Sequence, residues 1–216
     1  MNDFFLAVPL LPAFLLASFV LAATPGPAVV YIVARTLAQG RAAGFASVAG
    51  VALGNFGNAA GASIGLAALF AISATAFSIV KFAGAAYLVY LGIKALRPRA
   101  TDLRIEQFEA PRLLRIFRDG FLVALLNPKT AIFFAAFLPQ FIETSASKAL
   151  HSMALGGVFV LISVGTDTAY VFAAGAMARR VGGRGPGGPA AARYATAATF
   201  IGLGIFTAVA GSRAAR

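Results

Sequence analysis

The chain has 216 residues, of which 60% are apolar and only 12% are charged, and its formal net charge is +11. A soluble domain averages about 45–50% apolar residues, glycine included, and about 25% charged residues, and a disordered chain is poorer still in apolar residues. The composition excludes both classes and predicts an all-α, polytopic membrane protein. Because the chain has no cysteine and a single histidine, His151, thiol chemistry and clusters of His or Cys ligands are excluded, and we expect no metal and no cofactor.

Six apolar segments are each long enough to cross a membrane. A helix that crosses about 30 Å of hydrocarbon needs roughly 20 mostly apolar residues, so each segment is predicted to be a transmembrane helix. The first segment has no basic residue before its apolar core, which exceeds signal-peptide length, so we interpret it as a retained helix. The predicted spans are Val8–Ala34, Phe45–Phe70, Phe77–Leu96, Ile116–Phe141, Met153–Ala178 and Tyr194–Ala210.

The connections between the spans leave no room for a separate soluble domain, so residues 1–216 are predicted to form a single membrane domain. It divides into a first repeat at about residues 8–96, a cytoplasmic linker at about 97–115 and a second repeat at about 116–210. The linker mixes charged and apolar residues and is either an amphipathic segment on the membrane surface or an irregular connection. Gly182–Pro189 is rich in glycine and proline, which predicts a turn-rich link.

The distribution of basic residues predicts the orientation in the membrane. Of the 18 lysines and arginines, 13 lie on the side of the connections that follow the first, third and fifth spans. The opposite side has only Lys81, Lys148, Arg213 and Arg216. Since positive loops stay in the cytoplasm, both termini are predicted to face outward. The same rule accounts for the net charge, so we expect membrane lipid around the chain and no nucleic-acid partner.

Two of the spans contain residues that interrupt a helix. The sequence TPGP at Thr24–Pro27 interrupts the first span, and NPK at Asn127–Lys129 interrupts the fourth. Each proline removes a backbone donor and clashes with the carbonyl four residues earlier. Broken backbone at membrane depth occurs where it faces protein or lines a wet cavity. The paired breaks therefore predict a site, whereas a single proline would indicate only a kink.

The two halves of the chain align weakly with each other. Matching residues are 103 positions apart in the first and fourth spans and 118 apart in the third and sixth. Because each half has three spans, the second half enters the membrane from the opposite face. This predicts two inverted three-helix repeats with broken first and fourth helices, the plan of many secondary transporters. The matches are Pro25 with Pro128, Ala28 with Ala131, Phe82 with Phe200 and Gly84 with Gly202.

Two charged residues, Lys129 and Asp167, are predicted to lie inside spans. Such residues are costly in lipid and often mark substrate or proton routes, with a structural ion pair between helices as the alternative. Asn55 and Asn58 share one face of the second span and either complete a polar lining or bond across a helix interface. The glycines of that span predict close helix packing, within the chain or in a homodimer.

At these residues the chain resembles the lysine exporter (LysE/RhtB) family of bacterial amino-acid efflux proteins. The resemblance covers about residues 14–211 and is carried by the order and spacing of short motifs. Asp167 falls where family members tend to have an acid, whereas Asn55 is neutral where many relatives are acidic, which argues against a two-carboxylate mechanism and cationic substrates. The motifs are Pro25–Pro27, Leu37–Gly44 with Gly50 and Gly54, Gly84–Gly92, Asn127–Lys129 and Phe137–Phe141.

The resemblance implies a secondary transporter of the bacterial cytoplasmic membrane that exports an amino acid or related small metabolite, driven by an ion gradient, with protons as the expected ion. A zwitterionic substrate needs one site for its carboxylate and one for its ammonium. The half-helices after Pro27 and Pro128, with Lys129, suit a carboxylate, and Asp167 suits an ammonium or a proton. We expect Lys129 and Asp167 to pair when the site is empty. The expected substrate-binding residues are Thr24, Pro25, Gly26, Pro27, Asn55, Asn127, Pro128 and Lys129, and the expected ion-coupling residue is Asp167.

An enzyme and a channel are the two other classes of function to compare with an exporter. An enzyme needs a nucleophile with a base, a carboxylate pair or a metal site, and the sequence predicts only one carboxylate inside a span, so we expect no enzyme. A channel for a small solute or ion is the alternative, because broken helices can also line a pore.

Overall fold

The computed structural model describes residues 11–63, 74–96, 110–134, 138, 148–180 and 188–209. These residues form helices and contain no strand, so the all-α class is confirmed for the described part of the chain. The helices are α1 (Leu11–Ala23), α2 (Pro27–Gln39), α3 (Arg41–Ser63), α4 (Ala74–Leu96), α5 (Ala110–Leu125), α6 (Pro128–Ile132), α7 (Lys148–Arg180) and α8 (Gly188–Val209).

Several of these helices have the length and composition of membrane spans. Ser78–Leu96 in α4 and Leu150–Ala178 in α7 each qualify alone, and α1 and α2 qualify together as one span bent by 46°. Thr196–Val209 in α8 is a shorter apolar helix. Residues 97–109 of the predicted linker, 182–187 of the predicted link and parts of the other predicted spans (8–10, 64–70, 135–137, 139–141 and 210) lie outside the described residues. The rest of the predicted linker, residues 110–115, belongs to α5 and not to a connection. Gly188 and Pro189 belong to α8 and not to the predicted link, since proline fits the first turn of a helix.

The first interruption follows directly from its sequence. Pro25 cannot donate a backbone hydrogen bond, and α1 ends at Ala23. Gly26 is extended, with φ −143° and ψ −171°, and Pro27 occupies the first position of α2, where its missing donor costs nothing. The first helical hydrogen bond of α2 runs from the Val30 N–H to the Gly26 carbonyl, at 2.9 Å.

The second interruption is built in a similar way. Helix α5 ends at Leu125, and Asn127 caps α6 with a side-chain oxygen that accepts from the backbone N–H of Lys129 at 3.1 Å. Pro128 again occupies the first position of the new helix. Asparagine before proline is a strong start signal for a helix, so both breaks lie where the sequence predicted them.

Helix α3 is the centre of the packing and contacts α5 and α7. Its glycines allow the close approach to α5: a Cβ atom on Gly50 would overlap the carbonyl of Phe117, and one on Gly54 would lie 2.5 Å from the Phe121 carbonyl oxygen. Gly57 faces Leu125, which also belongs to α5. Between packing within the chain and a homodimer, the structure assigns these three glycines to internal packing.

Lys81 lies in α4, inside the predicted third span, near the end that the charge count assigns to the outer side. It is 7% exposed, with its Nζ atom 5.0 Å from the ring centroid of Phe82. A lysine with a long apolar stem can be covered in this way near a helix end. Lys81 is therefore a poor guide to the orientation of the chain.

The close contact between α3 and α5 predicts the effect of a single added methyl group. Gly54→Ala places a Cβ against the Phe121 carbonyl and 2.8 Å from the Cβ of Ala124, and overpacking of this kind costs about 1–3 kcal/mol. We expect a lower melting temperature for the purified protein in detergent. Gly202→Ala is the matched control, because a Cβ there meets nothing within 4 Å. Equal melting temperatures for the two variants would contradict the assignment of Gly54 to packing.

Candidate functional site

A pocket lies between the two helix breaks. Its volume is about 30 Å³, which is room for one or two water molecules in this conformation. Residues of both breaks and of α3 and α7 meet there, although they are far apart in the sequence. The lining consists of Leu21, Ala22, Thr24, Gly26, Ala28, Val29, Asn55, Asn127, Lys129, Thr130, Phe159, Ser163 and Asp167.

Most of the predicted site residues line this pocket. Six of the nine do so: Thr24, Gly26, Asn55, Asn127, Lys129 and Asp167. The other three are prolines, which make the breaks on either side of the pocket: Pro25, Pro27 and Pro128. Asn58 does not line the pocket, because its side-chain amide donates to the Ala124 carbonyl at 2.9 Å. Of the two alternatives for Asn58, the structure supports the bond across a helix interface.

Lys129 holds the end of α1. Its Nζ atom donates to the carbonyls of Leu21 at 2.7 Å and Thr24 at 2.6 Å. The last carbonyls of a helix have no partner within the helix, and the helix dipole favours a cation there. Gly26 leaves room for this side chain, since a Cβ on it would lie 3.2 Å from the Lys129 Cδ. The second break thus supplies the group that completes the first.

Tyr170 contributes to the same helix end and was not predicted. Its hydroxyl donates to the carbonyl of Ala23 at 2.7 Å, and the Thr24 hydroxyl donates to the carbonyl of Val20 at 2.6 Å. With the two bonds from Lys129, four carbonyls around the break therefore have partners, and pairing of this kind is what a helix end at membrane depth requires. The sequence signal was a polar aromatic residue inside an apolar span, three positions after Asp167.

Asp167 ends a short chain of hydrogen bonds. Asp167 is 3% exposed, and its Oδ2 accepts from the hydroxyl of Ser163 at 3.2 Å. The Ser163 oxygen accepts from the side-chain amide of Asn55, also at 3.2 Å. The Oδ1 atom of Asn55 is buried without a hydrogen-bond partner. A buried acceptor without a partner is costly, so this side of the pocket has unused capacity to bind a donor or a cation.

Lys129 and Asp167 do not pair directly, which corrects the expectation for an empty site. No ion pair within 4.0 Å joins them, and the ion pairs among the described residues involve other groups. The physical reason is that Lys129 already donates two hydrogen bonds to α1, while Asp167 is held by Ser163 on its own helix. The pocket therefore presents a cation and an anion that are held separately.

The first turn of α2 adds backbone donors to the pocket. Ala28 and Val29 line it, directly after the cap at Gly26. The first N–H groups of a helix have no partner within the helix and carry a partial positive charge, so they suit an anionic group. At the second break the Asn127 side chain already accepts from the Lys129 N–H. The Lys129 N–H of α6 is therefore already used within the chain, whereas no side chain caps the start of α2.

Asp119 is a second buried carboxylate that the sequence interpretation missed. It is 1% exposed and lies in α5, inside the predicted fourth span. Its Oδ2 is 3.2 Å from an Arg35 nitrogen and 3.7 Å from the Lys94 Nζ, and its Oδ1 accepts from the Tyr87 hydroxyl at 3.1 Å. The prediction of one carboxylate inside a span was therefore wrong. The signal was present, because Asp119 is the fourth residue of that predicted span.

Comparisons with known proteins agree on one family. A family model described as LysE type translocator matches residues 19–211. A homoserine/homoserine lactone efflux protein of Salmonella typhimurium is 34% identical over 159 residues, which cover 73% of this chain and 77% of that protein. A protein with the same description from Salmonella typhi has the same identity and coverage. An uncharacterized membrane protein of Vibrio cholerae is 31% identical over 170 residues, with 79% and 81% covered. No solved structure matches the chain significantly.

The hydroxyl of Tyr170 provides a test of how the first break is held. Tyr170→Phe removes the donor to the Ala23 carbonyl, and the loss of one such bond costs about 1 kcal/mol, or more if the carbonyl stays unpaired. We expect a lower melting temperature in detergent. Tyr90→Phe is the matched control, because the Tyr90 side chain is 53% exposed and its hydroxyl has no hydrogen bond to the described residues. An unchanged melting temperature for Tyr170→Phe would show that this bond does not stabilise the break.

Proposed function

The chain belongs to the LysE type translocator family, and we propose that it exports an amino acid or related small metabolite from the cytoplasm, driven by an ion gradient. The family predicted from the motifs is confirmed by the match over residues 19–211 and by the efflux proteins of Salmonella. The protein is therefore a membrane efflux transporter, similar to those of bacteria, and not an enzyme. The observation that carries the proposal is the pocket between the two breaks, with a lysine and an aspartate in its lining.

The substrate class that we propose is a small zwitterion close to homoserine in size. The Salmonella relatives are described as homoserine/homoserine lactone efflux proteins. In this chain the pocket combines Lys129 with Asp167, and Asn55 supplies a neutral oxygen on the same side as the aspartate. One cation and one anion complement a zwitterion, whereas a dicationic substrate would meet too few acids.

Each charged end of such a substrate has partners of the right type in the pocket. The carboxylate would bind to the first turn of α2 and to Lys129, which would exchange a carbonyl of α1 for the stronger acceptor. The ammonium would bind to Asp167 and to the unpaired Oδ1 of Asn55. Asp167 is also our proposed ion-coupling residue, because a proton and an ammonium compete for the same carboxylate. The proposed coupling ion is the proton.

The helix contacts support the proposed architecture of six spans in two inverted repeats. If the halves are exchanged by a twofold axis, the first span replaces the fourth, the second the fifth and the third the sixth. The contact of α3 with α5 then corresponds to the contact of α7 with α1. The axis exchanges α4 with α8 and α3 with α7, so the contact within each of these two pairs is mapped onto itself. The first correspondence is the informative one, because both of its contacts are present, as an inverted repeat requires.

The ends of three helices support the proposed orientation. Helices α2 and α4 end shortly after Arg35 and Lys94, and α5 starts at the same end of the protein, nine residues before their partner Asp119. We call this end of the protein the basic end, and positive charge at helix ends favours the cytoplasm. In our proposal the basic end faces the cytoplasm of a bacterial cell, the chain crosses the cytoplasmic membrane, and both termini lie outside.

The outer surface of the helices fits a lipid environment. Large apolar side chains such as Leu16, Leu161 and Phe206 are each more than half exposed, which in a membrane means contact with lipid tails. If the chain forms a homodimer, the contact would use a surface other than Gly50 and Gly54, because both face α5.

Asp167→Asn tests the proposed coupling. In vesicles that contain the purified protein, we expect proton-driven homoserine transport to fall by more than about tenfold in kcat/KM, equivalent to about 1.4 kcal/mol or more. Thr168→Val is the matched control, because Thr168 is the next residue of α7 and does not line the pocket. Both variants are compared at equal amounts of inserted protein. Undiminished coupled transport by Asp167→Asn would remove the residue from the mechanism, and unitary currents in place of saturable transport would show a channel.

A comparison of Lys129→Met with Tyr170→Phe separates the role of Lys129 in substrate binding from its role in capping α1. The variant loses the charge for the carboxylate as well as both bonds to α1, whereas Tyr170→Phe loses one bond to the same helix end and no charge. We expect the KM for homoserine to rise about tenfold or more in Lys129→Met, as for the loss of a charge-assisted bond. In Tyr170→Phe the KM should stay close to that of the parent. Equal KM values in both variants would limit Lys129 to a structural role.

A further inference from the structure

Asp119 and the side chains bound to it lie outside the pocket and have no role in the substrate binding proposed above. It joins three helices: Arg35 comes from α2, Tyr87 and Lys94 from α4, and Asp119 from α5. Arg35 is also held by Tyr31, whose ring centroid lies 5.2 Å from the guanidinium carbon. Arg118 is 4.0 Å from Asp119, but it is mostly exposed and screened by solvent. We call Arg35, Tyr87, Lys94 and Asp119 the Asp119 cluster.

The cluster stands between the pocket and the basic end. Helix α2 starts at the pocket with Pro27 and reaches Arg35 about 12 Å further along, at 1.5 Å per residue. Helix α5 runs in the opposite direction, and Asp119 lies about 12 Å before the pocket residue Asn127 on the same scale. The two helices therefore leave the pocket side by side, and the cluster ties them together at one level, with α4 attached.

One carboxylate neutralises two cations on different helices. The nitrogens of Arg35 and Lys94 both contact Oδ2 of Asp119. Without that negative charge, two like charges would face each other at a partly buried position, where water screens their repulsion only in part. The closed arrangement of α2, α4 and α5 therefore depends on the charge of Asp119.

We propose that the Asp119 cluster is a gate that closes the pocket from the basic end and that opens when α2 and α4 move away from α5. The inference rests on the proposed function, because a transporter must expose its pocket to one side at a time. It assigns to Asp119 the role of a positioning residue, which acts on access to the pocket without touching the substrate.

The other side of the pocket is closed by different chemistry. Phe159 lines the pocket and packs against Phe133 and Phe134, with ring centroids 5.2 and 5.1 Å apart. Phe14 of α1 continues this group, 6.2 Å from Phe133. Aromatic packing of this kind does not depend on a charged group. A change of Asp119 should therefore alter access from the basic end alone.

The test uses the absence of cysteine from the chain. Ala28→Cys places a single thiol in the pocket lining, and its reaction with a membrane-impermeant maleimide reports access from the side of addition. Inside-out vesicles expose the cytoplasmic face, and right-side-out vesicles expose the outer face. In the Ala28→Cys parent we expect slow labelling from the cytoplasmic face.

Asp119→Asn in this background is expected to label about tenfold faster from the cytoplasmic face, as a shift in the open population of that size requires. Labelling from the outer face should not accelerate. Arg115→Gln is the matched control, because Arg115 is an exposed cation on the same helix and has no ion pair among the described residues. Parental rates in Asp119→Asn, or acceleration from the outer face, would overturn the gate.

Two milder variants cover the case in which Asp119→Asn does not insert into the membrane. Arg35→Gln removes one cation from the cluster, and Tyr87→Phe removes one hydrogen bond. Both should accelerate cytoplasmic labelling by several-fold, with the larger effect for Arg35→Gln, and parental rates in both would overturn the gate. The assay contains no substrate, so a gate that passes this test while homoserine export fails would leave the closure intact and refute the proposed function.

Discussion

The structure of the site depends on one interaction, the contact of the Lys129 ammonium with the carbonyls of Leu21 and Thr24. A helix that stops inside a membrane leaves carbonyls that neither water nor lipid can satisfy, and each such group costs several kcal/mol. The sequence TPGP creates this problem in the first span, and the sequence NPK supplies the donor that solves it. The two breaks therefore depend on each other, and the pocket is the space that remains between them.

This contact also decides how the two charges of the pocket are arranged. Because Lys129 is held by α1, it does not neutralise Asp167, and Asp167 is held instead by Ser163 and, through it, by Asn55. A direct ion pair would have filled the site with its own charges. Separate anchoring leaves a positive and a negative group for the two ends of the zwitterion that we propose as substrate, and it leaves the Oδ1 atom of Asn55 without a protein partner.

The breaks were predictable from the sequence, because proline and glycine act on the backbone locally, and so were most of the polar residues in the pocket. The partners of those residues were not predictable. Lys129 binds backbone carbonyls, whose positions cannot be recognised from residue types. Tyr170 is recognisable as a polar aromatic residue in an apolar span, but the sequence does not show whether it faces the break or lipid. Asp119 was missed because an acid near the end of a span can face water or a neighbouring helix, and the choice depends on the rotation of α5. Periodicity and composition define a span, but its neighbours follow only from the packing of the whole bundle.

The types of helix contact indicate which parts of the protein move together. Helix α3 meets α5 through glycines, backbone against backbone at Gly50 and Gly54, and such close contacts are difficult to slide without overlap. Helix α4 has a similar contact at one point, where Gly84 lies against the carbonyl of Leu126 at the second break. Further along, α4 contacts α5 through side chains, with Tyr87 and Lys94 both bound to Asp119. Side-chain contacts can be exchanged for water far more easily than interlocked backbones, so α4 has its fixed point beside the pocket and its freedom at the basic end. That division of contacts is what a gate at Asp119 requires.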